Sequence, residues 1–219
     1  FAKIVSIVVG KIVKDEIKEG DIDVARQSDV DDWGMIDRKY IIVKALSKEE
    51  EIKELVLKTQ KDGDSIGGIV EVAAINVPVG LGEIFFNSLE SSIAKLAFSI
   101  PGVKGIEFGL GFDFVNDFGS NLNDIPYIEG KDIKFKTNNN GGILGGLSNG
   151  DNVVFRCVLK PTASIFKEQD TIDIDAMKET KTTLKGRHDA CIALRAIPIM
   201  ETVMAIALYD LLLSHKRGM

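Results

Sequence analysis

"IALRAIPIMETVMAIALYDLLL", residues 192–213, is the stretch on which the fold turns. A run of this length is enough to cross a bilayer, and it equally suits the central helix of a packed core. Arg195, Glu201 and Asp210 interrupt it and Pro198 falls early within it. A charge at mid-membrane depth costs about 2.5–3.5 kcal/mol on insertion scales, so the run reads as a core helix from near Cys191 to Ser214. Pro198 removes one backbone donor, which places it in the first turn or at a kink.

Outward from this helix, composition sets the bounds. The chain has 219 residues with 45% hydrophobic content, enough for one large domain or two small ones. A net charge of -6 and a pI near 5.1 exclude a general nucleic-acid or membrane-surface role, which needs a basic face, so any basic site is local. Cys157 and Cys191 sit in apolar surroundings without metal-binding or CxxC spacing, and they read as reduced, buried thiols in a cytoplasmic protein. The opening FAKIVSIVVGKIVK carries no signal-peptide cleavage site and starts in mid-pattern without Met or N-cap, so more chain is expected before it.

Periodicity predicts a helix over residues 2–14, with Ala2, Val5, Val9 and Ile12 or Val13 on one stripe. A short strand follows at 40–44. Ser47 and Glu50 stand in capping-box order, so a helix is expected over 48–61, ended by Gly63. Further strands are expected at 69–76, 103–108 and 153–159, a helix at 83–98, and a short edge strand at 172–174. The absence of regular βαβ alternation favours an α+β fold, with helices covered by antiparallel sheets, in a single domain.

Several stretches suit an anion. TNNNGGILGGLSNG (137–150) sets Gly141, Gly142, Gly145 and Gly146 around Ile143 and Leu144; it is either a tight turn or a loop that lies against a ligand. LKPTAS (159–164) leaves Lys160, Thr162 and Ser164 at a strand end, suited to a phosphate or polar ring edge, or simply solvated. DSIGG (64–68) reads as a helix-to-strand turn. In GRHD (186–189), Arg187 can grip a carboxylate or phosphate bidentately, and Asp189 is either a proton acceptor or the N-cap of the following helix. His188 is a core histidine or a proton carrier. Lys160, Arg187 and Arg195 together point to an anionic small molecule.

DSIGGIVEVAAINVPVGLGE (64–83), SIPGVKGIEFGLGF (99–112), TNNNGGILGGLSNG, LKPTASI (159–165) and GRHDACIALRAIPIMETVMAIALYD (186–210) occur in the order and wording of the chorismate synthase family, which the chain resembles from about residue 63 to 213. The resemblance implies a β-α-β sandwich, helices packed between antiparallel sheets, assembled as a homotetramer without nucleic-acid or membrane partners. It implies a lyase of the shikimate pathway that uses reduced FMN in the 1,4-anti elimination of phosphate from 5-enolpyruvylshikimate-3-phosphate. The source of reduced flavin, an outside reductase or NADPH oxidation by the same polypeptide, stays open. By position, flavin contacts fall on Pro101, Gly102, Gly145, Lys160, Pro161, Thr162, Ala163, Ser164 and Arg187. Arg187 also resembles a ligand of the substrate anion, and Asp189 the catalytic group near flavin N5. The family usually carries Asn-Ala where this chain has Pro101-Gly102, which leaves a contact there to backbone or shape. The family's Gly-Glu-Ser-His-Gly segment does not appear in this sequence. The chain is therefore expected to be the C-terminal portion of such a catalytic domain and to turn over little alone. The alternatives are a scaffold module derived from the same fold, or an unrelated nucleotide-binding protein.

Overall fold

The structure, a computed structural model, describes the backbone of residues 3–9 and 49–217 and the side chains of 53–215. In chain order its elements are β1 (Lys3–Val9), α1 (Glu49–Lys61), β2 (Gly68–Ile75), α2 (Leu89–Phe98), β3 (Val103–Phe108), the short α3 (Gly119–Leu122), β4 (Pro126–Glu129), β5 (Asp132–Phe135), β6 (Ile143–Leu144), β7 (Leu147–Ser148), β8 (Val153–Leu159), β9 (Gln169–Asp173), β10 (Lys178–Thr182) and α4 (Ala193–Arg217). This is an α+β fold. Four strands form one antiparallel sheet in the order β1-β2-β8-β3, and the remaining strands pair as three separate hairpins.

Alternation along the central strands decides which face is dry. Val70, Val72 and Ala74 of β2 and Val153, Phe155, Cys157 and Leu159 of β8 share one core cluster with Leu89, Ile93 and Ala97 of α2 and Met200, Met204 and Ala207 of α4. Side chains two apart on a strand share a face, and those three or four apart on a helix share a stripe, so both helices lie on the same side of the sheet. Phe155 is fully buried with its ring centroid 6.1 Å from that of Phe108. Truncating Phe155→Ala should cost about 3–5 kcal/mol, since the cavity stays only partly refilled. Urea unfolding checks this as a lower midpoint at an unchanged slope.

The opposite face of the sheet is polar at its centre. Arg156 of β8 stands in register with Glu71 on β2 and Glu107 on β3. Its Nε lies 3.0 Å from Glu107 Oε1 and 3.8 Å from Glu71 Oε2, and Nη2 donates to the Gly109 carbonyl at 3.2 Å.

The terminal helix keeps its expected place and extends to Arg217. It is, among the described residues, the one helix long and apolar enough to cross a membrane, by length and composition alone. Its buried stripe seals the sheet, while Ile199, Ile206 and Tyr209 remain exposed on another side. Only one four-stranded sheet flanks the helices among the described residues. Pro198 is the sixth residue of α4, past the first turn, and its own carbonyl accepts the Thr202 hydroxyl at 2.7 Å.

Two expectations change. Residues 3–9 are a strand paired with β2, not part of a helix over 2–14: antiparallel pairing from Lys3↔Ile75 to Val9↔Ile69 gives a run rich in Val and Ile a ladder partner. The helix expected from residue 83 starts only at Leu89, after a 3₁₀ turn at Phe85–Asn87, because Ser88 is the cap and its Oγ accepts the Ser91 N–H at 3.1 Å. The polar region after β3 holds a 3₁₀ turn, α3 and two hairpins. The edge strand expected at 172–174 is β9, and it pairs with β10 alone. The strand at 40–44, Ser47 and the side chain of Glu50 lie outside the described residues, while the helix expected over 48–61 is α1.

Candidate functional site

Chain segments far apart in sequence meet at one end of the sheet. β8 ends at Leu159, and the Lys160 N–H donates to the Gly102 carbonyl at 2.9 Å, which joins the turn after β8 to the turn before β3. A Cβ on Gly102 would sit 2.9 Å from Ile192 Cδ1, so the 101–102 turn also abuts the entry to α4. Ser65 Oγ donates to the Thr162 carbonyl at 2.6 Å, and the neighbouring Ile66 N–H donates to the Ala190 carbonyl at 2.8 Å. Residues 101–102, 160–162 and 190 are thus tied directly or through one short loop.

Gly145 belongs elsewhere. It forms the β6–β7 turn with Gly146, both at positive φ (61° and 89°), as a two-residue hairpin of this kind requires. The Gly146 carbonyl accepts the Leu89 N–H at 2.9 Å, at the start of α2, whereas Pro101 and Gly102 follow its end. A ten-residue helix is about 15 Å long, so within this chain Gly145 stands a helix length from the other residues.

The charged groups of the site are on the surface. Lys160 and Arg187 are exposed and form no ion pair among the described residues. Arg195, grouped with them from the sequence as an anion ligand, instead places Nη2 3.1 Å from Asp189 Oδ1. Asp189 lies four residues before Ala193, the first residue of α4, and so is outside the N-cap position; the N–H groups that face the Cys191 thiol are those of Ala193 and Leu194. Burial still pushes that thiol up, against the opposing pull of those two donors. Burial alone holds the Cys157 thiol up at about 12, so both cysteines stay protonated near neutrality. His188 is half-buried with its ring 5.2 Å from that of Phe166, and its buried Nε2 has no partner among the described residues.

Two further features lay outside the motif reading. Asp124, 9% exposed, accepts hydrogen bonds from Thr137 Oγ1, the Asn139 and Asn140 N–H groups and Asn140 Nδ2, all at 2.7–2.9 Å. Burial raises its carboxyl, but these four donors outweigh that and hold it below its ordinary value. Between α2 and α4 lies a groove of about 380 Å³, lined by residues including Leu96, Ile100, Ile199 and Ile206; no charged group lines it, so it does not suit a phosphate. No cluster of His, Cys, Asp or Glu among the described residues is arranged to hold a metal ion.

Comparison with known proteins gives one answer. A chorismate synthase of Archaeoglobus fulgidus is 49% identical over 152 residues, 69% of this chain and 42% of the relative. The chorismate synthase of Methanocaldococcus jannaschii is 46% identical over 75% of this chain and 44% of its own length, and that of Methanobrevibacter smithii is 40% identical over 91% and 55%. A crystal structure of chorismate synthase matches with a TM-score of 0.71 at 28% identity, covering 98% of this chain and 58% of that one. The chain spans about half the length of the curated relatives it matches. The family model for chorismate synthase matches residues 2–213, and the chain belongs to the chorismate synthase family.

Proposed function

We propose that this chain is the flavin-holding, C-terminal portion of a chorismate synthase catalytic domain, a lyase that eliminates phosphate from 5-enolpyruvylshikimate-3-phosphate with reduced FMN. The observation that carries this reading is the convergence on loop 64–68 of the two segments assigned to flavin: the Thr162 carbonyl on Ser65 and the Ala190 carbonyl on Ile66. The residues fit such a cofactor. Lys160 and Arg187 supply uncommitted positive charge, and Thr162 and Ser164 supply hydroxyls in the turn that carries Lys160. Pro101 and Gly102 offer no polar side chain, so any contact there falls to backbone or shape, and Gly145 would have to join from another position or another subunit of a homotetramer.

Reduced FMN, when bound, lends electron density to the departing phosphate. The side chains do the rest. Arg187 holds the substrate anion through a bidentate fork, and fixed cations stabilise the charge that grows on the leaving phosphate. Asp189 manages the proton: Arg195 engages Oδ1, which leaves Oδ2 as the oxygen to exchange it. A soluble, cytoplasmic biosynthetic role in the shikimate pathway accords with this chemistry.

Anaerobic titration of the chain with reduced FMN tests the reading. Saturable binding is expected, and Lys160→Ala should weaken it by about tenfold or more, the worth of one charge-assisted hydrogen bond. Absence of saturable binding, or binding indifferent to Lys160, would count against it. Phosphate release from the substrate should be slow or undetectable for this chain alone, because a cofactor half-site without its full set of transition-state contacts gives little acceleration.

A further inference from the structure

We propose that Ser65 is a positioning residue of this site, and that loop 64–68 is a clasp that sets the 160–164 turn against the 187–190 corner. The inference rests on the flavin reading for its purpose and on geometry for its substance. Three consecutive residues reach out. Ser65 Oγ donates to the Thr162 carbonyl at 2.6 Å across 97 residues of sequence. The Ile66 N–H donates to the Ala190 carbonyl at 2.8 Å. At Gly67 a Cβ would lie 2.6 Å from the Leu159 carbonyl oxygen and 3.1 Å from Pro161 Cδ, so only glycine lets the loop close onto the turn.

Both flanks reinforce the clasp. Asp64 accepts the Ser65 N–H through Oδ1 at 2.8 Å and pairs through Oδ2 with Lys167 Nζ at 2.6 Å. The Phe166 N–H donates to the Gly63 carbonyl at 2.9 Å, and the Phe166 ring packs on His188 of the opposite segment. A turn that merely reversed the chain would bond within itself; this one spends its outward donors on two separate strands of backbone. The Ser65 hydroxyl is already committed as a donor to protein, so its service is to hold Thr162 and, through Ile66, Ala190 and the neighbouring Asp189.

The test uses Ser65→Ala, Ser65→Thr and Gly67→Ala in the same chain with two measurements. Titration with reduced FMN should show Ser65→Ala binding about tenfold more weakly, with Ser65→Thr restoring affinity, since one hydrogen bond of about this worth is lost and regained. Amide hydrogen exchange of the flavin-free protein should show segments 159–166 and 186–191 exchanging together, about tenfold faster in Ser65→Ala and in Gly67→Ala, while α2 stays protected. If one variant unfolds globally, the other decides by the same readout. Loosening of only one segment, or none, overturns the clasp, as does unchanged affinity in a chain that binds flavin. A wild-type chain that ignores reduced FMN strikes down the flavin reading alone, and the exchange result still decides the clasp.

Discussion

Replacing Asp189 by Asn is expected to slow phosphate elimination by roughly 10²–10⁴-fold in a complete catalytic polypeptide, the usual worth of a general acid or base. The amide keeps the size and shape of the carboxylate but carries no titrating proton. Arg195 faces Oδ1 at 3.1 Å, and an Asn oxygen can keep that contact, so the loop should hold its form. Affinity for reduced FMN should accordingly stay within about threefold, because a group acting only in the transition state leaves ground-state binding alone. Single-turnover kinetics beside a flavin titration separate the two quantities. A normal rate with Asn at this position would remove Asp189 from the chemistry.

The second large effect falls on stability. Asp124→Ala strips one carboxylate from four donors spread over Thr137, Asn139 and Asn140. Donors left dry cost more than the bond was worth, so a loss of about 3 kcal/mol is expected, larger than for a typical surface change. The carboxyl is held below its ordinary value of 3.8, against the upward push of burial, by these hydrogen bonds. A group with a depressed folded pKa adds stability above the unfolded value, and that stability disappears as pH falls through the lower, folded one. Wild type should therefore lose this contribution only below about pH 4, and Asp124→Ala should show a flatter acid limb. Urea midpoints at neutral pH and at successively lower values read both. Parallel acid limbs in the two proteins would refute the assignment.

Legibility in the sequence followed the range of the interactions. Strands β2, β3 and β8 declared themselves through local runs of Val, Ile and Phe, α1 through the Ser47–Glu50 pair and Gly63, and α4 through its long apolar run. β1 did not, because KIVSIVV is apolar on both strand faces and such a run has no period that separates strand from helix. Its β-branched residues at 4, 5, 7, 8 and 9 were the available signal. Ser88 before Leu89 likewise marked the true start of α2. Asp124 carried no such mark, since its partners lie 13–16 residues away and nothing local distinguishes it from other loop acids. The site divided in the same way. Lys160, Arg187 and Asp189 were readable as chemistry, whereas the commitment of Arg195 to Asp189 and the reach of Ser65 depend on contacts that only folding creates.

The cation at the middle of the sheet also acts as a spelling check on the fold. If β8 slipped by one position, Arg156 would turn inward among Val70, Val72 and the apolar stripes of α2 and α4, abandoning both glutamates for a dry interior, since every side chain on a strand changes face with a one-residue shift. The correct alignment is thereby favoured over its nearest competitors by far more than the modest worth of the ion pairs themselves, and the strand end that leads into Lys160 emerges at the one height where it can meet Gly102.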